Sequence, residues 1–379
     1  MKKFFTAIAL SGTVLLGGCA ESNKDENAAA NDVIRHIGTY SSYENGIVYR
    51  AGDSSMFLDL DTMEKSPLCA VPNCTHTTSN CISKIIGRYV PIFYNEYIYF
   101  FTSNGGAVEE TPDGYEFYID SSLKRASLDS SEVETVCEFH DCAPVQGYPE
   151  YVLNGSELYF TADDLNPEKG EYGGYNWGTS GGNHFLCSID LDTGKYTNYG
   201  SIYDDDKQYD GAAYSSGANI NGIYKDKMYI EYSFIKDNDA LQNRENSDEL
   251  FENINLEFDF ETKKWKESEL PFTYYMNEDC YIYQDSESNN VKVIYQGKES
   301  EFDLGFDSND FRLSQCREFN GKIFFPTAGK WLDLKDSSEH SMGEYKEYDA
   351  AEYYDDSYIF IKGGLTAKLT EEELLALDD

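Results

Sequence analysis

Three cysteines and a histidine early in the chain have the residue types of a metal site. They are spaced as Cys69-x4-Cys74-x-His76-x4-Cys81, which places three thiols and one imidazole within thirteen residues. Zinc completes a tetrahedral shell with such ligands, and donor atoms within about 4 Å of one another would indicate it. The spacing also differs from the usual knuckle and ribbon patterns, so disulfide bonds and free thiols are the alternatives. Because residues 69–88 contain few large apolar side chains, we expect this connection to need a cross-link for order.

A second group of cysteines offers partners for the disulfide alternative. Cys137 and Cys142 flank His140 and are expected to lie in the same connection one repeat later. Because neighbouring connections should be close in space, Cys81 is expected to approach Cys137 or Cys142. The other cysteines lie in apolar strand patterns and are expected to be buried thiols: Cys187, Cys280 and Cys316.

A glycine-rich loop in the middle of the chain carries aromatic residues and one histidine. Its residues 178–182 fit G-x-S-x-G in letters. That motif acts as a nucleophile elbow only at a strand-to-helix turn of an α/β sheet, so a hydrolase is disfavoured. Tyr172, Tyr175 and Trp177, with His184 nearby, are candidates for stacking on a sugar ring or a peptide. The alternative is that these aromatic residues pack over the base of their own loop.

An acidic stretch has the oxygen ligands that calcium binds. It comprises Asp204-Asp205-Asp206 and Asp210-Gly211. It lacks the register of a calcium loop and a closing bidentate glutamate, so a solvated acidic loop is the alternative.

The N-terminus predicts export and a lipid anchor. Residues 1–18 form a lipoprotein signal peptide, with Lys2-Lys3 before an apolar run that is too short to span a membrane. Leu16-Gly17-Gly18-Cys19-Ala20 matches the bacterial lipobox, in which the Cys19 thiol receives a diacylglyceryl group. Several acyl chains together hold a protein durably on a membrane, here on the extracytoplasmic face. Residues 19–31 are expected to be a flexible tether.

The composition excludes some partners. Acidic residues number 69 against 30 lysines and arginines, which gives a formal net charge of −39. Such a charge repels nucleic acid, so no nucleic-acid partner is expected. The 32 tyrosines and 22 phenylalanines supply a large apolar core, so the chain is not disordered.

One hairpin signature recurs along the chain and must position all of these residues. It consists of an aromatic or aliphatic residue, a turn pair with Asn or Asp, and then alternating apolar and aromatic residues. Turn pairs such as Asn-Gly join two strands because their residues adopt positive φ angles. The seven copies lie at 44–49, 94–100, 153–160, 224–230, 276–283, 319–325 and 354–360.

The repeat predicts an all-β fold. Most copies are followed by a second hairpin, as at 187–195, so one unit has four antiparallel strands. Seven units predict a single β-propeller over residues 32–379 with seven four-stranded blades, and six blades is the alternative. The last unit lacks a fourth strand and ends in a helical segment at 371–377. We therefore expect an N-terminal strand, Asp32–Ile37, to close the last blade.

The longest insertions are expected on one face of the propeller. They all fall between the second and third strands of a blade or between blades, and these two kinds of connection emerge together. Function usually lies on such loops above a rigid scaffold. The insertions are 103–114, 163–183, 203–217 and 236–250.

The lipobox, the repeated hairpins and the stretch Leu68-Cys69…Cys74-Thr75-His76…Cys81 together resemble a known group of proteins. These are exported propeller lipoproteins of Gram-positive anaerobes, described as TolB-like or receptor-type β-propellers or as a domain of unknown function. The resemblance covers residues 19 to about 365. It implies a propeller fold and an extracytoplasmic location, and it brings no catalytic residues with it.

We therefore expect a lipid-anchored, extracytoplasmic propeller that is a non-catalytic binding or scaffold module for a protein or glycan partner. The alternative is a propeller-type enzyme, a glycosidase or lyase that acts on extracellular polysaccharide. Such an enzyme would bring carboxylates together in the axial depression, about 5–10 Å apart.

Overall fold

A computed structural model describes the chain in fifteen ranges: 35–37, 40–43, 45–87, 90–111, 114–129, 132–139, 142–144, 151–164, 184–202, 214–235, 251–271, 275–285, 288, 290–305 and 316–378. Within these ranges, none of the helices is long and apolar enough to cross a membrane. The predicted signal peptide and the anchor residue Cys19 lie outside them.

The strands form seven antiparallel sheets in a ring, which makes the fold a seven-bladed β-propeller as predicted. In every sheet except that of blade 3, which also contains β1 and β10, the strands follow chain order from the inner to the outer edge. Blade 1 contains β2 Ser41–Tyr43, β3 Gly46–Ala51, β4 Ser54–Asp59 and β5 Lys65–Pro67, and blade 2 contains β6 Ile92–Tyr94, β7 Tyr97–Thr111, β8 Gly114–Ala126 and β9 Val133–Phe139. Blade 3 contains β11 Tyr151–Asn154, β12 Glu157–Asp164, β13 His184–Asp190 and β14 Tyr196–Ser201, with the additional strands β1 Arg35–Ile37 and β10 Cys142–Pro144. Blade 4 contains β15 Tyr214–Tyr224, β16 Lys227–Ile235, β17 Phe251–Asp259 and β18 Lys264–Glu267.

The remaining three blades complete the ring, and the helices are short. The strands are β19 Tyr275–Met276, β20 Cys280–Gln284, β21 Val291–Tyr295 and β22 Lys298–Phe302 (blade 5); β23 Arg317–Phe319, β24 Lys322–Phe325, β25 Lys330–Asp333 and β26 Ser338–Ser341 (blade 6); β27 Asp349–Tyr354, β28 Ser357–Lys362 and β29 Leu365–Thr370 (blade 7). The described residues include two α-helices, α1 Ile82–Ile86 and α2 Glu371–Leu375. They also include 3-10 turns at Pro326–Ala328, Gly343–Tyr345 and Ala376–Asp378.

The turn chemistry explains why the same hairpins recur. In blade 1, Asp59 Oδ1 accepts the amide hydrogens of Asp61 and Thr62 at 3.0 and 2.8 Å. Asp190 in blade 3 and Asp259 in blade 4 make the same pair of bonds. Aspartate favours such turns because its carboxylate bonds to the backbone two and three residues later. The inner turns contain residues with positive φ: Asn95, Gly155, Asp226, Asn320 and Asp355.

The hydrophobic core lies between neighbouring blades. Because strand side chains alternate between the two sheet faces, consecutive residues pack against opposite neighbours. Ile47 belongs to the cluster between blades 7 and 1, whereas Val48 belongs to the cluster between blades 1 and 2. Each of the seven interfaces therefore has its own apolar layer, and side chains on both faces of every blade are buried.

The ring closes differently from our expectation. Strand β1 pairs with the inner strand β11 of blade 3, with Arg35 opposite Leu153 and Ile37 opposite Tyr151. Blade 7 has three strands within the described residues, β27 to β29. The prediction that Asp32–Ile37 closes the last blade is therefore wrong. Without β1, the backbone N–H and C=O groups on the inner edge of β11 would lack partners, and pairing with β1 provides them.

Side chains join blade 7 to blade 1 instead of a shared strand. The Tyr40 hydroxyl donates to Asp349 at 2.6 Å, and the Tyr354 hydroxyl donates to Asp61 at 2.7 Å. The Lys368 ammonium donates to the Leu60 carbonyl at 3.2 Å. An apolar layer that includes Ile47, Leu58, Ala351 and Ile359 lies beneath these bonds.

A half-buried carboxylate joins blades 3 and 4. Glu157, at the start of β12, accepts hydrogen bonds from Lys263 at 2.5 Å and Tyr159 at 2.6 Å on one oxygen. Tyr199 and Ser188 donate to the other oxygen at 2.7 and 2.8 Å. Burial acts to raise the pKa of Glu157, but these hydrogen bonds outweigh it and lower the pKa to about 2. The carboxylate is therefore held in its charged form.

A fully buried lysine fixes the C-terminal helix. Lys322, which is 0% exposed, pairs with Asp333 at 2.8 Å and with Glu371 of α2 at 3.1 Å. Thr370 and Glu373 form a capping box at the start of α2. The helical end predicted from the sequence is thus confirmed and packs against blade 6.

Candidate metal centre

The four predicted metal ligands lie together in the connection between β5 of blade 1 and β6 of blade 2. One ligand atom from each of Cys69, Cys74, His76 and Cys81 lies within 4.8 Å of all the others. This distance exceeds the 4 Å expected from the sequence. Tetrahedral zinc, with Zn–S near 2.3 Å, separates its donors by about 3.8 Å. The cluster would therefore need to contract by about 1 Å to enclose an ion, which side-chain rotations can supply.

Backbone hydrogen bonds fix Cys69 between two blades. The amide of Leu68 donates to the Ser55 carbonyl of blade 1 at 2.9 Å. The amide of Ala70 donates to the Leu128 carbonyl of blade 2 at 2.7 Å. Cys69 is therefore held at the seam between the blades, where it is 5% exposed.

Two residues with left-handed backbone fold the chain back toward Cys69. Asn73 has φ 60° and His76 has φ 59°, a conformation in which Asn and His are enriched among the residues other than glycine. The amide of Cys74 donates to the Val71 carbonyl at 3.2 Å. These two bends bring the side chains of Cys74 and His76 to the same position beside Cys69.

Helix α1 anchors the fourth ligand. Cys81 is its N-cap residue, and the Cys81 carbonyl accepts two amide hydrogens of the helix at 2.9 Å. Ile82 and Ile86 are 0% exposed in the layer between blades 1 and 2. A Cβ at Gly87 would lie 2.3 Å from the Asp53 carbonyl oxygen, so the helix ends tightly against blade 1. The expectation that this connection buries little apolar surface is wrong for α1.

The electrostatics of the cluster suit a divalent cation. Burial raises the pKa of the Cys69 thiol to about 12, with further contributions from Cys81 and Cys74. The pKa of Cys74 is lowered, chiefly by a hydrogen bond from the His76 backbone. His76 Nδ1 lies 3.5 Å from Cys81 Sγ. A bound cation stabilises thiolates directly, so it would relieve the cost of ionising Cys69.

This donor set supports structure and not turnover. Three sulfurs and one nitrogen fill a tetrahedral shell, whereas catalytic zinc keeps one position for water or substrate. Whatever ion is bound would join the end of β5, the bends around Asn73 and helix α1. The four residues lie together and could hold a metal ion, although their separation is larger than the sequence analysis expected for zinc.

The predicted disulfide partners are not brought together. None of the eight described cysteines forms a disulfide. Cys142 is buried in the layer between blades 2 and 3, whereas Cys81 lies beside His76 at the seam of blades 1 and 2. Cys137 is half-buried on β9, and its thiol donates to the Glu138 carbonyl at 3.8 Å. The expectation that Cys81 approaches either cysteine is wrong, because successive connections are a whole blade apart.

The other predicted site residues are distributed as follows. His184 is buried at the start of β13, where its ring lies edge-on to Tyr232 at 6.0 Å. Cys280 and Cys316 are buried thiols, as expected. Several candidates lie outside the described residues: His140, Tyr172, Tyr175, Trp177, the G-x-S-x-G stretch and the acidic residues Asp204, Asp205, Asp206 and Asp210 proposed for calcium.

Sequence reasoning missed one contact between cysteines. Cys142 and Cys187 are both buried, and their sulfurs lie 3.3 and 3.2 Å from the same Tyr196 hydroxyl. The two residues are far apart in the chain, so no short sequence motif predicts that they lie close together.

The solved structures that this chain is similar to share little sequence with it. No family model matches the chain, and no curated protein does. Among solved structures, YjhT is 13% identical, with 89% of this chain and 94% of that chain covered and a TM-score of 0.35. The β-propeller domain of the Trilobed protease from Pyrococcus furiosus is 11% identical, with 89% and 91% covered and a TM-score of 0.39. TolB from Acinetobacter baumannii is 12% identical, with 84% and 83% covered and a TM-score of 0.28.

Proposed function

We propose that the chain is a lipid-anchored, extracytoplasmic propeller that serves as a non-catalytic binding or scaffold module for a protein or glycan partner. The observation that carries the binding role is a β-ribbon on blade 2. The lipobox at Cys19 supports the location.

The ribbon is formed by the ends of β7 and β8. Inner strand β6 pairs with β7 only as far as Tyr99, and outer strand β9 pairs with β8 only from Ser121 onward. From Asn104 to Thr111, β7 therefore pairs only with β8 within the described residues. At about 3.4 Å per residue, this part extends about 25 Å past the sheet.

A projecting ribbon is suited to recognition. Residues 103–114 were predicted to be a loop, but residues 103–111 and Gly114 instead belong to the paired strands β7 and β8. Both edges of the ribbon offer backbone donors and acceptors to an extended segment of another protein, the mode known as strand addition. Because its two strands are paired, a ribbon of this kind would lose less entropy on binding than an unpaired loop does.

We also propose that zinc occupies the cluster of Cys69, Cys74, His76 and Cys81. Zinc is the borderline-soft ion that this sulfur and nitrogen set prefers. When bound, it would fix the connection between blades 1 and 2, and it would supply no reactive position.

The inner strands offer a specific comparison with the enzyme alternative. Asp349 and Glu352, on the inner strand β27, are two of the inner-strand carboxylates that a glycosidase or lyase interpretation would consider. Each accepts a hydrogen bond from blade 1, from Tyr40 and Ser42 respectively. Their role in closing the ring favours the binding module over polysaccharide cleavage.

Photo-crosslinking from the ribbon tests the binding role. A photoreactive amino acid at Glu109 is expected to give adducts of discrete mass in the native envelope. The matched control is the same substitution at Asp336, in a tight outer turn of blade 6. Adducts from neither position, or equally from both, would show that the ribbon is not a binding arm. Turnover of a polysaccharide by the purified chain would favour the enzyme instead.

Fractionation tests the location. Cys19→Ala is expected to release the protein from membranes or to leave it unprocessed, because the acylated thiol is lost. A processed Cys19→Ala protein that still fractionates with membranes would contradict the anchor.

A further inference from the structure

Strand β1 places the N-terminal segment inside the ring of blades. It pairs with the inner edge of β11, and it also contacts the inner strand β15 of blade 4. A strand added to the inner edge of a blade lies on the axial side of the inner strands, because the outer edge of each sheet faces away from the axis. Residues 35–37 therefore lie in the axial channel of the propeller.

The propeller has two different faces, defined by the connections that emerge on them. The turn face contains the tight turns between the first and second and between the third and fourth strands of a blade, such as those at Gly155 and Gly194 of blade 3. The loop face contains the connections between the second and third strands and those between blades. The ribbon end at Thr111 and the candidate metal centre therefore lie on the loop face.

The register of β1 gives the direction in which the chain passes through the channel. Strand β11 runs from Tyr151 at the loop face to Asn154 at the turn face. Strand β1 is antiparallel to it, with Arg35 opposite Leu153 and Ile37 opposite Tyr151. The chain therefore enters the channel at the turn face and leaves it at the loop face, where the first strand of blade 1 begins.

We propose that this threading orients the protein on its membrane, with the turn face toward the lipid surface and the loop face away from it. The inference rests on the proposed lipid anchor at Cys19. The segment that joins Cys19 to β1 meets the propeller at the turn face, so the lipid holds that face near the membrane. The ribbon and the candidate metal centre are then presented to partners on the side away from the membrane.

The length of the tether favours this orientation over the opposite one. Residues 20–34 separate Cys19 from Arg35. As the flexible linker that the sequence predicts, they would span about 20 Å on average and at most about 50 Å. A path from the axis past four strands and along the eight residues of β12 to the loop face is at least about 40 Å long. The opposite orientation needs a nearly fully stretched tether, which costs conformational entropy.

The ribbon is a second obstacle to the opposite orientation. It extends about 25 Å past the sheet on the loop face, so it would stand between that face and the lipid surface. Adding this distance to the path around the blade exceeds the full length of the tether. The turn face has only tight connections, so it can approach the membrane without such an obstacle.

Energy transfer within the soluble chain tests the threading. The chain without residues 1–18 carries a donor dye at Asn27 and an acceptor dye at one of two exposed positions of blade 1. Glu64 lies in a turn on the turn face, and Asp53 lies in a turn on the loop face. The dyes are attached to azide-bearing residues, which leaves the cysteines unmodified. We expect higher transfer to Glu64, whereas equal transfer or higher transfer to Asp53 would overturn the proposal.

Energy transfer to a membrane tests the orientation. The acylated protein with a donor at Glu64 or at Asp53 is placed on vesicles of phosphatidylcholine and phosphatidylglycerol that contain a head-group-labelled acceptor lipid. We expect the donor at Glu64 to lie about 20 Å closer to the acceptors, because the six residues of β4 separate the two turns. A donor at Asp53 that is equally close or closer would overturn the orientation.

The two measurements separate this proposal from the proposed anchor. Higher transfer to Glu64 in the soluble chain, combined with a protein that does not associate with vesicles, would overturn the anchor and leave the threading intact. Higher transfer to Asp53 in the soluble chain would overturn the threading whether or not the protein carries lipid.

A pair of proline variants tests whether β1 is responsible for the orientation. Because positions in an antiparallel pair alternate between hydrogen-bonded and non-bonded, one of Arg35 and His36 directs its N–H toward β11. Arg35→Pro combined with His36→Pro removes that donor, so the two transfer efficiencies on vesicles should converge. Ala28→Pro combined with Ala29→Pro, in the tether, is the matched control and should preserve the difference. A difference that survives the prolines in β1 would show that the threading does not orient the protein.

Discussion

The Glu157 network offers a stability prediction whose sign depends on pH. Removing the charge with Glu157→Gln leaves Lys263 without its carboxylate partner at the seam of blades 3 and 4. A fall in pKa from 4.5 to about 2 corresponds to roughly 3 kcal/mol of preference for the charged form. Because the Lys263 side chain is 37% exposed, solvent screening reduces the expected effect to about 1–2 kcal/mol.

The pH window follows from the direction of the shift. A carboxylate with a lowered folded-state pKa stabilises the fold above its unfolded pKa of about 4.3 and loses this effect as pH falls toward 2. Glu157→Gln should therefore lower the free energy of unfolding by about 1–2 kcal/mol at pH 7. The difference from wild type should shrink progressively below pH 4.

Urea unfolding monitored by tryptophan fluorescence at pH 7 and pH 3 measures both values. The matched control is Glu134→Gln, because Glu134 pairs with Arg125 at 2.8 Å but is 62% exposed. Surface pairs of this kind contribute about 0–1 kcal/mol. An equal loss for Glu157→Gln at both pH values would refute the electrostatic account and indicate a packing defect.

Three further predictions concern stability and metal content. Lys322→Met, which leaves Asp333 without its buried partner, should lower the free energy of unfolding by about 3 kcal/mol in urea titrations; a loss near that of a surface pair would contradict it. Gly87→Ala should lower the thermal midpoint, since its Cβ would meet the Asp53 carbonyl at 2.3 Å, and Gly364→Ala, in open space, is the control. The purified protein should contain one zinc per chain by elemental analysis, and a chelator should lower its thermal midpoint. Cys74→Ser should abolish both the zinc content and the effect of the chelator. A metal-free protein whose thermal midpoint does not change with chelator would exclude the site.

The parts of the fold that depend on local chemistry were predictable. The Asp-x-x-Thr turns bond within four residues, so the number and order of hairpins follow from the sequence alone. The metal cluster was predictable for the same reason, because Cys69 to Cys81 is one short connection whose ligands can meet without help from distant strands.

The parts that depend on distant pairing were not predictable. Strand β1 could supply hydrogen-bond partners to the unpaired inner edge of several blades. Its pairing with β11 follows only from the three-dimensional arrangement. The contact of Cys142 with Cys187 depends on the path of β10 beside β12. Alternation within 103–114 is weak, so the sequence did not distinguish a ribbon from a loop. Burial of Ile82 and Ile86 requires knowledge of the seam into which α1 packs.

The closure of the ring by side chains has a consequence for biosynthesis. Within the described residues, no strand is shared between blades 7 and 1, so the described strands of blade 1 include no residue from the C-terminal end of the chain. Blades 1 and 2 can therefore complete their backbone hydrogen bonds during synthesis, before the rest of the chain has been made. The final event is then the docking of blade 7 against blade 1 through Tyr40, Tyr354 and the apolar layer beneath them. The described strands of blade 1 do not have to wait for a strand from the C-terminal end of the chain.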